Sequence, residues 1–296
     1  MKTLREYISE AAAKKIAIGH FNISDIAALK GIFSAAKNLG VPVIIGVSEG
    51  EREFVGVLQV AALVKSFREQ YDYPIFLNAD HTYSFEKIKE AVGAGFDMVI
   101  FDGAKLSLEE NIKATKEVAE YVKEKTGGTV LVEGELGYIG TSSKVFTSIP
   151  EGAAVTKEQF TKPAEAVKFV NATGVDLLAP AVGNIHGMFI PSGVLGQPTF
   201  DPNLDIGLIL EIRAACAVPL TLHGGSGTKD EQFVAATKSG MAVIHINTEL
   251  RVAWRKAIEE TLLKNPDEVA TYRLLTLSEE AVSAVVKNRL KLFSRL

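Results

Sequence analysis

Short apolar runs alternate with longer amphipathic stretches along the whole chain, the pattern of parallel strands joined by helices. The strand-like runs are 17–22, 42–48, 75–80, 98–102, 129–133, 177–182, 220–222 and 242–247. Helical periodicity fills 25–38, 85–93, 108–125, 164–173, 206–214, 231–239 and 249–263. Eight units without a Pro/Gly/Ser-rich linker predict a closed (β/α)₈ TIM barrel, of class α/β, with an open doubly wound sheet as the alternative. The expected organisation is one domain over residues 1–296, ending in a helical extension over Leu277–Leu296. Two loops, Leu136–Lys162 and Asn184–Asn203, are too long for plain connections and are expected to overhang one mouth of the barrel.

The strand ends are where polar chemistry collects. Asn22 ends the first run, Ser48 the second, Asp80 and His81 the third, Asp102 the fourth, and Glu133 and Glu135 the fifth. Asn184 and His186 follow the sixth, His223 the seventh, and Asn247 with Thr248 the eighth. In a barrel these residues ring the C-terminal mouth, where such folds keep their sites. The run PLTLHGGSG, from Pro219 to Gly227, carries a strand directly into a histidine and a small-residue loop, and Gly224, Gly225, Ser226 and Gly227 can offer backbone N–H groups to an anion. His20 lies inside the first strand and reads as core.

Composition narrows the chemistry. A formal net charge of −4 provides no field for nucleic acid or an anionic membrane. Cys216 is the only cysteine, which excludes an intrachain disulfide and a multi-thiolate zinc site, so zinc would rest on histidine and carboxylate. The opening MKTLREYISEAAAKK has no apolar signal region, no apolar run is long enough to span a bilayer, and a cytoplasmic protein is expected. His81, His186 and His223 can converge as three neutral imidazoles around one metal ion, with Asp80 free to move protons; each alone would read as an ordinary hydrogen-bonded histidine.

At these residues the chain resembles the class II, metal-dependent ketose-bisphosphate aldolases. The resemblance is carried by NADH at Asn78–His81 with its following Ser-Phe-Glu helix start, AGFDMVIFDG at Ala94–Gly103, VEGELGYIG at Val132–Gly140 and VGNIHG at Val182–Gly187. It continues in LHGGSG at Leu222–Gly227 and INTELR at Ile246–Arg251. It implies Zn²⁺ held by His81, His186 and His223, proton transfer by Asp80, and Glu135 as an alternative metal ligand. It also implies a substrate phosphate gripped by Gly187, Gly224, Ser226, Asn247 and Thr248, a monovalent cation such as Na⁺ beside it, and a homodimer or homotetramer. Ser48 and His245 complete the expected substrate contacts.

The implied reaction is reversible cleavage of a ketose 1,6-bisphosphate, of the fructose or tagatose type, to dihydroxyacetone phosphate and an aldehyde. The alternatives are a metal-dependent C4 epimerase and a non-catalytic sugar-phosphate-binding relative. The chain departs from the family pattern at Thr82 (glycine or cysteine), His245 (asparagine), Val243 (lysine), and in the loop GTSSKVFTSIPEGAAVTKEQF. That loop has only Glu151 and Glu158 where the family has an acidic cluster.

Overall fold

Eight of the apolar runs form parallel strands: β1 (Ile18–Asn22), β2 (Val43–Val47), β3 (Ile75–Thr82), β4 (Met98–Phe101), β5 (Leu131–Leu136), β6 (Leu177–Pro180), β7 (Leu220–Leu222) and β8 (Met241–Ile246). The computed structural model describes residues 1–140, 144–146, 156–189 and 203–296. Because β1 pairs with both β2 and β8, the sheet closes in the order β1-β8-β7-β6-β5-β4-β3-β2, and the open-sheet alternative is set aside. A two-residue pair, Val145–Phe146 with Met188–Phe189, lies apart from the barrel.

Most strand boundaries shift by one to three residues from the pattern, and two of these shifts have a clear local cause. The fifth strand begins at Leu131 rather than Thr129, because Gly127 and Gly128, both at positive φ, and Thr129, bonded back to Thr126, are still closing the preceding helix. The third runs on to Thr82, since its register with β4 slips between Ala79 and Thr82 and lets pairing resume after an irregularity.

Four helices were not expected from periodicity: Leu4–Lys14, Glu49–Val55, Val57–Tyr71 and Thr271–Leu274. The first is started by a capping box between Thr3 and Glu6, and its apolar face, Leu4, Ile8 and Ala11, plugs the N-terminal end of the barrel. There it packs on an interior layer that includes Ile18, Ile44, Phe76, Met98, Leu131 and Val243. Each such side chain contributes about 1.5–3 kcal/mol by burial. With that end sealed, polar side chains inside the barrel collect at the opposite mouth.

The C-terminal helix spans Thr276–Ser294 and lies across the helices Ile26–Leu39 and Thr248–Lys264. Its approach is close: a Cβ on Gly31 would stand 2.6 Å from the Glu279 carbonyl oxygen.

Candidate active site

Three imidazoles meet at the mouth. His81 Nε2 lies 3.1 Å from His186 Nε2 and 3.3 Å from His223 Nδ1, and the three rings stand nearly edge-on to one another. The opposite nitrogen of each ring is already committed. His81 Nδ1 meets Asp102 Oδ2 at 2.9 Å, His186 Nδ1 meets the Gly140 carbonyl at 2.6 Å, and His223 Nε2 meets Glu133 Oε1 at 2.7 Å. Carboxylate and carbonyl oxygens only accept, so those outer nitrogens carry the protons, and in neutral rings the three inner ones present bare lone pairs. Glu133 is itself fixed by Thr221, whose hydroxyl donates to Oε2 at 2.6 Å.

The backbone is bent to achieve this. His81 has φ +35°, a conformation costly for a side-chain-bearing residue, and it falls within the register slip of β3. Burial alone would lower the His81 pKa, but the charges of Asp80 and Glu135 and the bond to Asp102 outweigh it and hold the ring well above the usual histidine range. His186, buried and facing the other two imidazoles, is pushed down to about 3. The surroundings of His81 thus favour positive charge.

Asp80 stands beside this cluster. Its Oδ2 accepts from Asn22 Nδ2 at 2.8 Å, while Oδ1 has no hydrogen-bond partner among the described residues and lies 3.5 Å from His245 Nδ1. Burial pushes the carboxyl up, yet the His81 charge and His245 more than offset this, so it sits well below the ordinary carboxylate range. His245 in turn is sandwiched. His20 is its Cα partner across β1 and β8, and their rings stack 3.4 Å apart, with His223 on the far face at 4.0 Å. His20 is therefore more than packing: its Nε2 meets Asn78 Nδ2 at 3.0 Å, and a Cβ on Gly46 would stand 2.1 Å from the ring. Burial lowers the His20 pKa to about 4. His20, Asp80 and His245 also bring ligand-type atoms together, but two parallel stacked rings cannot both aim in-plane lone pairs at one ion.

The expected anion loop is partly self-occupied. Gly225 N–H donates to the His245 carbonyl (3.2 Å) and Gly227 N–H to Glu249 Oε1 (2.8 Å), which leaves the Gly224 and Ser226 amides as the loop's candidates for a ligand. Gly224 must be glycine: its φ is +61° and a Cβ would stand 2.6 Å from the Ile185 backbone. Ser226 Oγ accepts from the Asn247 and Glu249 amides at the start of the helix Thr248–Lys264. A cavity of about 20 Å³ is lined by Asn22, Asp80, His81, His186, Gly187, Gly224, Gly225, Ser226, His245, Asn247 and Thr248. Most of the expected site residues are thus in one place.

Two are not. Ser48 does not line this cavity and turns its hydroxyl to Glu51, and Glu135 is outside the cavity lining, its Oε2 3.3 Å from His81 Nδ1 and 3.7 Å from the inner Nδ1 of His223. Glu151 lies outside the described residues, and Glu158 sits in a short 3₁₀ turn with no buried residue.

Asn22 is expected at the mouth as a strand-end residue, whereas Glu51 and Arg52 have no role in the sequence reading. Asn22 bridges Asp80 to Glu51, and buried Arg52 donates to the Val47 and Asp80 carbonyls and to Thr82 Oγ1 (2.9 Å). Thr82, a departure from the family pattern, is thereby an acceptor that holds Arg52 under Asp80. For Glu51 the legible signal was the Ser48-x-x-Glu51 spacing of a capping box.

The sequence matches the family model "Fructose-bisphosphate aldolase class-II" over residues 2–295. The chain belongs to this family. Fructose-bisphosphate aldolases of Geobacillus stearothermophilus and Staphylococcus aureus are 33% and 32% identical to it over 294 residues, covering 98% of the chain and 96% of theirs. The crystal structure of the YdjI aldolase from Escherichia coli K12 superposes with a TM-score of 0.79 at 28% identity, covering 99% of this chain and 97% of that one. As a class II aldolase the protein is a lyase that performs metal-dependent aldol cleavage on a phosphorylated sugar. No helix among the described residues is long and apolar enough to cross a membrane.

The donor set fits a metal. Nitrogens about 2.0–2.1 Å from a tetrahedral ion stand roughly 3.3 Å apart, close to the 3.1 and 3.3 Å found here.

Proposed function

We propose that His81, His186 and His223 hold one Zn²⁺ and that Asp80 is the proton-transferring group in reversible cleavage of a ketose phosphate to dihydroxyacetone phosphate and an aldehyde. The observation that carries this reading is the convergence of three imidazole nitrogens whose partners across each ring are all hydrogen-bonded acceptors. When bound, the zinc supplies Lewis-acid stabilisation of the negative charge that develops as the C3–C4 bond breaks.

The chain's own residues do the rest. Asp80 takes the C4 hydroxyl proton on Oδ1, the oxygen with no partner among the described residues, while Asn22 keeps Oδ2 oriented. Gly187, the Gly224 and Ser226 amides, Asn247 and Thr248 seat the C1 phosphate and so place the reacting carbons against Asp80. A monovalent cation such as Na⁺ beside that phosphate would offset its charge. His245, fixed between two imidazoles, presents a buried Nε2 without a partner among the described residues and is available to a substrate oxygen. Glu135 is close enough to His81 to serve as an alternative ligand if that ring turns. The exposed Leu263, Val269 and Tyr272 support self-association as a homodimer or homotetramer. A single buried cysteine suits the reducing cytoplasm.

The test is triose phosphate release from fructose 1,6-bisphosphate and tagatose 1,6-bisphosphate before and after chelation. Release should vanish with the chelator and return with zinc. Release indifferent to the chelator, or a new hexose isomer without trioses, would refute the assignment.

A further inference from the structure

A second cavity, of about 290 Å³, opens off the first, and Asn22 and Asn247 line both. A ketose anchored by its C1 phosphate at Gly224 and Ser226, with its C4 hydroxyl at Asp80, would reach the larger cavity past the shared residues Asn22 and Asn247. Its distal half, the part released as aldehyde, would then lie in the larger space. The walls there are mainly apolar, with Ile23, Leu250, Trp254 and Val282 among them. Among the described lining residues the charged groups are Asp25, Glu51 and Arg251.

Arg251 is the one cation among the described lining residues, and it is already paired with a carboxylate. Its Nη2 donates to Glu51 Oε1 at 2.6 Å. Glu51 is buried and heavily bonded: Oε2 accepts from Asn22 Nδ2 (2.8 Å), Ser48 N (2.7 Å) and Ser48 Oγ (2.9 Å), and Asn247 Nδ2 approaches Oε1 at 3.4 Å. So held, it is not free to swing away from the guanidinium. Among the described lining residues, two carboxylates against one guanidinium leave a net charge of −1, and a terminal phosphate would bring about −1.5 to −2 more.

We propose that Glu51 is a specificity-determining residue that disfavours a phosphorylated distal half, so that the preferred aldehyde is an uncharged, hydroxylated chain and the preferred ketose carries phosphate at C1 alone. This rests on the aldolase reading above and deepens it. Bisphosphates remain substrates, but poor ones.

The test is condensation of dihydroxyacetone phosphate with glyceraldehyde and with glyceraldehyde 3-phosphate by the zinc-loaded protein, compared with Glu51→Gln and Arg251→Met. The wild type should favour glyceraldehyde by at least tenfold in kcat/KM. Glu51→Gln should lower that ratio at least tenfold, chiefly through KM for the phosphorylated aldehyde, and should strengthen competitive inhibition by inorganic phosphate. Arg251→Met should raise the ratio further, and it carries the test from the other side of the pair if loss of the Ser48 bonds unfolds the first variant. A wild-type preference for glyceraldehyde 3-phosphate, or a ratio unmoved in both variants, would overturn the proposal. Solvent deuterium exchange into C3 of dihydroxyacetone phosphate, run without aldehyde, separates the two readings. Exchange with an unmoved ratio sinks only the role of Glu51, whereas no exchange sinks the aldolase assignment with it.

Discussion

Glu133 shows how far a single side chain behind the histidines shapes them. Fully buried, it accepts from His223 Nε2 and is held by Thr221, so it fixes both the tautomer and the direction of the inner nitrogen. Glu133→Gln keeps the shape but can present its amide nitrogen to the ring, and it should weaken zinc binding by about 10–100-fold. Competition against a chromophoric chelator measures this; unchanged affinity would mean that His223 needs no such partner. At this scale the sequence was informative about ligands and poor about their supports. Asp80, His81, His186 and His223 stood out because polar residues at strand ends have no packing reason to be there. Glu51 and Arg52 did not, because charged residues on a short helix normally face solvent, and only the fold reveals that these two point inward. His20 read as core because its stacking on His245 depends on the register of β1 with β8.

Among the elements, the C-terminal helix Thr276–Ser294 reaches the anion loop through one residue. Arg289 donates from Nε and Nη2 to both oxygens of Glu249 and from Nη1 to Asp230, and Glu249 Oε1 accepts from Gly227 N–H. The guanidinium also covers the Phe233 ring, 5.0 Å from its centroid. Arg289→Met should cost about 1–3 kcal/mol in denaturant unfolding, since a mostly buried charged hydrogen-bond set is left without its donor. It should also raise KM for phosphorylated substrates as the loop loosens, and a variant with wild-type stability and KM would show the link to be idle. A terminal helix with basic residues was legible from periodicity; its connection to the loop was not, because the contact spans 40 residues of sequence from Arg289 to Glu249. The N-terminal helix Leu4–Lys14 does carry local signals, a Thr3–Glu6 capping box and the apolar spacing of Leu4, Ile8 and Ala11, but its place as the barrel's plug depends on the closed sheet.

For the whole molecule, alternation of strand and helix was enough to suggest a barrel, but closure depends on β1 meeting β8 from opposite ends of the chain, which no local pattern records. Closure is what turns eight separate strand ends into one mouth, and the plug of Leu4, Ile8 and Ala11 leaves that mouth as the place where the polar residues meet. The proposed chemistry turns on where a metal binds in that mouth. The most direct measurement is an anomalous difference map from crystals loaded with zinc. One peak about 2.0–2.1 Å from His81 Nε2, His186 Nε2 and His223 Nδ1 is the predicted result. A peak placed instead among His20, Asp80 and His245, or no peak between the three inner nitrogens, would contradict it.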